Sequence, residues 1–198
     1  MVARLFRGLS LRGWLLSLGC LVASSTVSSA AEDWPDGGLN KPACFARSYS
    51  EKHLAGHPHQ VVTSLRLLLN RSNPAGRGNR YRLEFGVKVR GRSNELKTTI
   101  DCRPTQLTSS PETYLQCLVE CDGGGVAIKF QGRMDTALVY LGAPIGPGYI
   151  SLISKCAGTA SSESYDLQAG VDDHIFRVFA ADMNICLPLS PHSVPWRE

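Results

Sequence analysis

Three histidines stand close together in the pattern H-x3-H-x-H: His53, His57 and His59. A spacing of four puts His53 and His57 on the same side of a short helix, and His59 follows just past Pro58. Imidazoles gathered this way suit Zn or Cu, with Asp172, Asp173 or His174 as distant partners. One reading is therefore a metal-binding protein or a metal-dependent enzyme built on this cluster. Against it, no Glu follows His53 as it would in H-E-x-x-H, and no residue nearby is marked as a general base. Histidines in a polar stretch before a strand serve more often in loops and caps.

A second group is basic. Between Arg66 and Arg92 the chain carries eight cations, Arg66, Arg71, Arg77, Arg80, Arg82, Lys88, Arg90 and Arg92, against the single acid Glu84. A hairpin presenting Arg71, Arg77, Arg80, Arg82, Lys88 and Arg90 suits an anionic envelope component or an acidic protein partner. The plainer reading is a solvated sheet face whose charges discourage edge-to-edge pairing. No aromatic residue is interleaved on the outward side to stack bases, so a nucleic-acid partner is not expected.

Other motifs carry less chemistry. Asp172-Asp173-His174 sets carboxylates beside an imidazole, but neighbours on a strand point to opposite faces, which is no preformed dyad. Asp122-Gly123-Gly124-Gly125 lacks the Lys-Ser/Thr ending of a phosphate loop and precedes a strand, which makes it a hairpin turn needing positive φ. There is no G-x-S-x-G elbow, and no residue is singled out as catalytic.

The elements that must position these groups are mostly strands. Tyr81, Leu83, Phe85, Val87 and Val89 alternate with polar residues, the period of a half-buried strand. Before it, residues 60–69 place Val61, Thr63, Leu65, Leu67 and Leu69 on one face, with a long hairpin loop between the two strands. Further strands are expected at 95–102, 114–121, 126–131, 137–141, 149–156 and 174–181. About eight strands in sequential order predict an all-β fold: an antiparallel meander closed as a β-barrel or folded as a β-sandwich. One short helix is expected before the first of these strands, with Ser48 and Glu51 as a capping box and Gly56-His57-Pro58 ending it. Residues 32–43 and 188–198 read as loosely held tails, and 157–173 as a long polar loop.

The 198 residues, 43% apolar and 19% charged, suffice for one domain with a core and exclude general disorder. Residues 1–30 form a secretory signal pattern: Arg4, Arg7 and Arg12, then an apolar run from Trp14 to Ala23, then small residues up to Ala30. The run is about half the ~20 residues needed to span a bilayer, and no other stretch is apolar for long enough. Without those three arginines the 21 basic residues fall to 18, against 17 acids, which excludes a globally basic nucleic-acid binder. The mature domain is expected at 31–198, with an ordered core at about 44–187.

Beyond the signal, six cysteines remain: Cys44, Cys102, Cys117, Cys121, Cys156 and Cys186. An even number in an exported chain predicts three disulfides in an oxidising compartment, and no C-x-x-C suggests a zinc site instead. Cys44 with Cys186 is the favoured pair, because it closes the largest loop. If Cys117 and Cys121 share a strand they lie roughly 13 Å apart, beyond disulfide reach.

The segments HLAGHPHQVV (53–62), CLVECDGGG (117–125) and VDDHIFRVF (171–179) followed by Cys186, with the signal pattern, resemble a group of small exported bacterial proteins expected to be all-β. The resemblance implies a periplasmic or secreted location and brings no catalytic residue. The expectation from sequence is an exported protein that acts by binding an anionic envelope component or a small ligand. A structural envelope component is a further alternative.

Overall fold

The computed structural model describes residues 41–71, 80–106, 112–142, 148–152 and 165–190. The expected export signal (1–30), Arg77 in the hairpin loop, Cys156, residues 157–164 of the expected 157–173 loop and the residues after 190 lie outside the described residues.

Eight strands close into an antiparallel barrel: β1 (Ala43–Ser48), β2 (Val62–Arg71), β3 (Tyr81–Val89), β4 (Leu96–Gln106), β5 (Thr113–Leu118), β6 (Gly125–Gln131), β7 (Thr136–Tyr140) and β10 (Ile175–Ala180). The order around the barrel is β1-β10-β7-β6-β5-β4-β3-β2, so the meander closes by joining its first strand to its last. The choice between barrel and sandwich falls to the barrel, which leaves no edge strand exposed. Two short strands, β8 (Tyr149–Ser151) and β9 (Asp166–Gln168), form a separate antiparallel pair.

The expected alternation fills the interior. Leu67, Phe85, Ile100, Leu115, Ile128, Val139 and Phe176, one from each of seven strands, are at most 2% exposed and belong to one cluster. Each buried side chain of this kind stabilises the fold by about 1.5–3 kcal/mol relative to exposure. Ile150, Leu152 and Leu167 join the same cluster from β8, β9 and their flanks.

The phase of β2 departs from expectation. Its register against β3 shifts between Val62 and Ser64, and this bulge turns Val62 inward and leaves Val61 37% exposed. Thr63 therefore leaves the core face, and its hydroxyl donates to the Lys88 carbonyl. β5 stops at Leu118, short of the expected Cys121. Cys121 and Asp122 have φ of 56° and 58°, which no strand accommodates. In the following turn Gly124 has φ +70°, and a Cβ there would collide with the Tyr149 carbonyl. This glycine lets β8 reach the barrel, through the Gly124–Ile150 bridge.

The helix before β2 is present as α1 (Glu51–Gly56), but its cap is Ser50, whose hydroxyl accepts from the His53 N–H. Ser48 instead ends β1, with its hydroxyl 3.3 Å from that of Ser64. A second helix, α2 (Met183–Cys186), and a 3-10 turn (Leu187–Leu189) follow β10 where a loose tail was expected from residue 188. The Cys44–Cys186 disulfide, the pair favoured by loop length, ties α2 to β1. Leu189 packs over Gly86, where a Cβ would collide with its Cδ2, and Lys97 Nζ donates to the Pro188 carbonyl at 2.7 Å. The strap thereby packs on outward-facing Leu68, which is buried with Cys186 and Leu189. Cys102 and Cys117 form a second disulfide between facing residues of β4 and β5, and Cys121 is disulfide-bonded as well.

Candidate functional site

The barrel is least tightly joined between β1 and β10. Only Phe45–Ala180 and Ala46–Phe179 pair there, while β10 runs on against β7 and β1 runs on against β2. Past the second pair, Arg47 shares the inward phase of Ala43 and Phe45, opposite buried Leu65. A guanidinium is too costly to leave in the core unpaired. Its Nη1 donates to the Arg177 carbonyl at 3.1 Å, and its Cζ lies 4.5 Å from the Tyr49 ring centre and 5.8 Å from that of Phe179.

From Arg47 the stacking continues into α1. Tyr49 and His53 stack with ring centres 4.8 Å apart, and His53 and His57 at 4.2 Å with planes inclined by 16°. The four-residue spacing thus does bring the two histidines face to face. Burial chiefly, with Asp173 adding and Arg47 opposing, pushes the Tyr49 phenol above its ordinary value, so it remains a neutral donor.

Beside this stack the parting strands leave a cleft of about 420 Å³. Arg47 and Arg177 line it, together with Tyr49, His53, His57, Gln60, Asp172 and His174, and three apolar side chains, Leu138, Val171 and Ile175. Leu138 lies directly across from Arg177 in the β7–β10 register. Val171 and Ile175 are 76% and 42% exposed. The Arg177 guanidinium has no hydrogen-bond or ion-pair partner among the described residues.

The carboxylates at the cleft are committed to the backbone. Asp172 accepts from the His59 N–H at 3.1 Å. Asp173, 3% exposed, accepts from the N–H groups of Val61 at 2.5 Å and Val62 at 3.3 Å. Burial pushes the Asp173 carboxyl above its ordinary value, although those two N–H groups pull the other way. Asp172 and Asp173 therefore staple the 59–62 segment to the start of β10. Among the described residues, neither carboxylate is hydrogen-bonded to His174, whose Nδ1 lies 3.2 Å from the Gly170 carbonyl.

The histidine cluster divides. His53 Nε2 lies 3.0 Å from Gln60 Oε1, and His57 Nδ1 lies 2.9 Å from the His53 carbonyl. His59 contributes its backbone to Asp172 and is absent from the cleft lining. Among the described residues, no three His, Cys, Asp or Glu side chains come together in a group that could hold a metal ion.

The basic hairpin is spread out. Arg71 ends β2 at one end of the barrel with Arg80 beside the start of β3, whereas Lys88 and Arg90 lie at the opposite end. At ~3.3 Å per residue, the eight steps from Arg82 to Arg90 cover about 26 Å. Arg82 faces Asp101 at 3.8 Å. Arg66 forms a two-pronged pair with Glu95. Arg90 donates to the carbonyls of Leu54, His57 and Gln60, closing the C-terminal end of α1. Lys88 and Arg80 remain exposed.

Arg47, Tyr49, Arg177 and His174 complete the site, and no motif in the sequence marks the first three. Arg47 left one signal: a cation in the inward phase of an apolar strand must find a way out of the barrel. No family model, no curated protein and no solved structure matches the chain.

Proposed function

We propose that this is an exported, non-enzymatic binding protein that engages an anionic ligand in the cleft between β1 and β10. The observation that carries the reading is Arg177: a guanidinium without a partner among the described residues, in a cleft it shares with Arg47 and three imidazoles. Among the described residues, the one carboxylate lining that cleft, Asp172, is already held by the His59 N–H. The balance favours an anion over a cation, and so over Zn or Cu at His53, His57 and His59. The cleft volume falls within the range of small-molecule sites, about 300–1,000 Å³. The hairpin cations support the anionic reading less well, because Arg90 and Arg66 are engaged within the fold. Export is supported by the 1–30 pattern and by the disulfides, which persist in the periplasm or outside the cell. Among the described residues, no helix is long and apolar enough to cross a membrane.

Calorimetric titration with phenylacetate, and with neutral 2-phenylethanol as control, tests the reading. Phenylacetate is expected to bind with a dissociation constant on the order of 1 mM or tighter, and Arg177→Gln to weaken it about ten-fold or more. Equal binding of the alcohol, or no binding of phenylacetate at about 10 mM, would overturn the reading.

A further inference from the structure

The cleft specifies more than a charge. His57 Nδ1 lies 2.9 Å from the His53 carbonyl oxygen, and His174 Nδ1 lies 3.2 Å from that of Gly170. A carbonyl oxygen can only accept, so each Nδ1 carries the ring hydrogen. A neutral imidazole has one N–H, which leaves Nε2 of both rings as a bare acceptor. His53 is fixed the other way. Gln60 Nε2 donates to the Val62 carbonyl at 2.8 Å, which makes Gln60 Oε1 an acceptor and His53 Nε2 the donor to it. His53 is also covered on both ring faces by Tyr49 and His57. Two imidazole acceptors therefore border a cleft whose cations, Arg47 and Arg177, are donors only, and whose carboxylate, Asp172, already accepts from the His59 N–H.

These two acceptors cannot hydrogen-bond a bare carboxylate or sulfate, and they need a hydrogen from the ligand. The third part of the lining is apolar. Leu138 faces Arg177 across the β7–β10 ladder, and Ile175 and Val171 stay exposed beside it. Water against this surface would be released by an apolar ligand group.

We infer that the cleft takes a small organic anion with a hydrogen-bond donor next to its charge and an apolar group beyond it. The anion pairs with Arg177, the donor meets Nε2 of His57 or His174, and the apolar group covers Leu138, Val171 and Ile175. Hydroxy acids with a hydrophobic substituent are the simplest molecules of this class. The inference rests on the anionic reading of the cleft proposed above.

Mandelate, phenylacetate and glycolate separate the three parts. Mandelate has carboxylate, hydroxyl and ring, phenylacetate lacks the hydroxyl, and glycolate lacks the ring. At pH 8, where imidazoles are neutral in general, mandelate is expected to bind about two- to ten-fold more tightly than phenylacetate. Glycolate is expected to bind more weakly than either. His174→Phe and His57→Phe each keep a ring and remove Nε2, and at least one should abolish the advantage of mandelate over phenylacetate, read as the ratio of the two affinities in the same variant. The wild-type comparison does not depend on either variant folding. Equal affinities for mandelate and phenylacetate would overturn the inference and leave the anionic reading standing. Binding of glycolate as tight as mandelate would likewise remove the apolar part. Failure of all three anions to bind would overturn both.

Discussion

Tyr114 donates its hydroxyl to Glu112 Oε2 at 2.6 Å, and Lys129 Nζ donates to Glu112 Oε1 at the same distance. The carboxylate that accepts from the phenol pushes its pKa up to about 12, with burial adding to the effect. The two hydrogen bonds, from Lys129 first and Tyr114 second, hold Glu112 below its ordinary value. The two shifts act at opposite ends of the pH scale. Folding raises the phenol's pKa, so its contribution to stability is complete below about pH 10 and is lost as pH rises through about 12. Folding lowers the carboxyl's pKa, so its contribution is present above the ordinary carboxylate range and lost as pH falls through the lowered value. Alkaline titration in the phenolate absorption band should show late ionisation that shrinks by one phenol in Tyr114→Phe, the raised Tyr49 phenol remaining. In Glu112→Gln the same phenol should ionise closer to pH ~10. A titration in which Glu112→Gln leaves the late ionisation undiminished would show that burial alone holds the proton. The trio also illustrates what a residue pattern conceals: Glu112 and Lys129 lie far apart in sequence, and only the β5–β6 ladder brings them together.

At the scale of elements, the C-terminal strap depends on three features from different parts of the chain. Cys186 bonds Cys44 across 142 residues, Leu189 rests on Gly86, and Arg66 donates to the Ile185 carbonyl. A crosslink over so long a loop restricts the unfolded chain strongly. Replacing both cysteines, Cys44→Ala with Cys186→Ala, is expected to lower the unfolding free energy by about 2–5 kcal/mol in urea titration. A loss under about 1 kcal/mol would mean that packing over Gly86 and Leu68 holds the strap unaided. The disulfide was readable in advance because loop length and cysteine number are properties of the sequence. The strap was not: residues 183–189 have no periodic apolar face, and their burial depends on a glycine in the outward phase of β3. The strands themselves were legible wherever alternation is strict, as in Tyr81–Val89. The β2 phase was misjudged because one extra residue at the Val62–Ser64 bulge leaves no compositional mark. Of the site, the stacked pair His53 and His57 was legible from spacing on a helix. Arg47 and Arg177 were not, because closure of the barrel brings them together across most of the domain.

At the scale of the molecule, that closure is also where the barrel is least held by its backbone. Two residue pairs join β1 to β10, against nine between β2 and β3. The remainder of the seam is joined by side chains: the stack from Phe179 through Arg47, Tyr49 and His53 to His57, and the Asp173 staple to Val61 and Val62. Side-chain joints of this kind open locally at a lower cost than a nine-pair ladder, since fewer hydrogen bonds break together. The cleft lies on the seam, so local opening would govern how a ligand enters. Asp173→Ala isolates this effect, because it leaves the part-buried Val61 N–H and the buried Val62 N–H without their acceptor. In native-state hydrogen exchange at neutral pH, Val61 and Val62 are expected to exchange about ten-fold or more faster in the variant, by the ~1–3 kcal/mol cost of an unsatisfied buried group. The amides of Leu83, Phe85 and Ile100, in β3 and β4, should keep their wild-type rates. A uniform acceleration over all of these strands would mean that the seam opens only when the whole barrel unfolds, and that ligand entry needs a different route. Acceleration confined to residues 59–62 and the start of β10 would make the β1–β10 seam the moving part of the binding site.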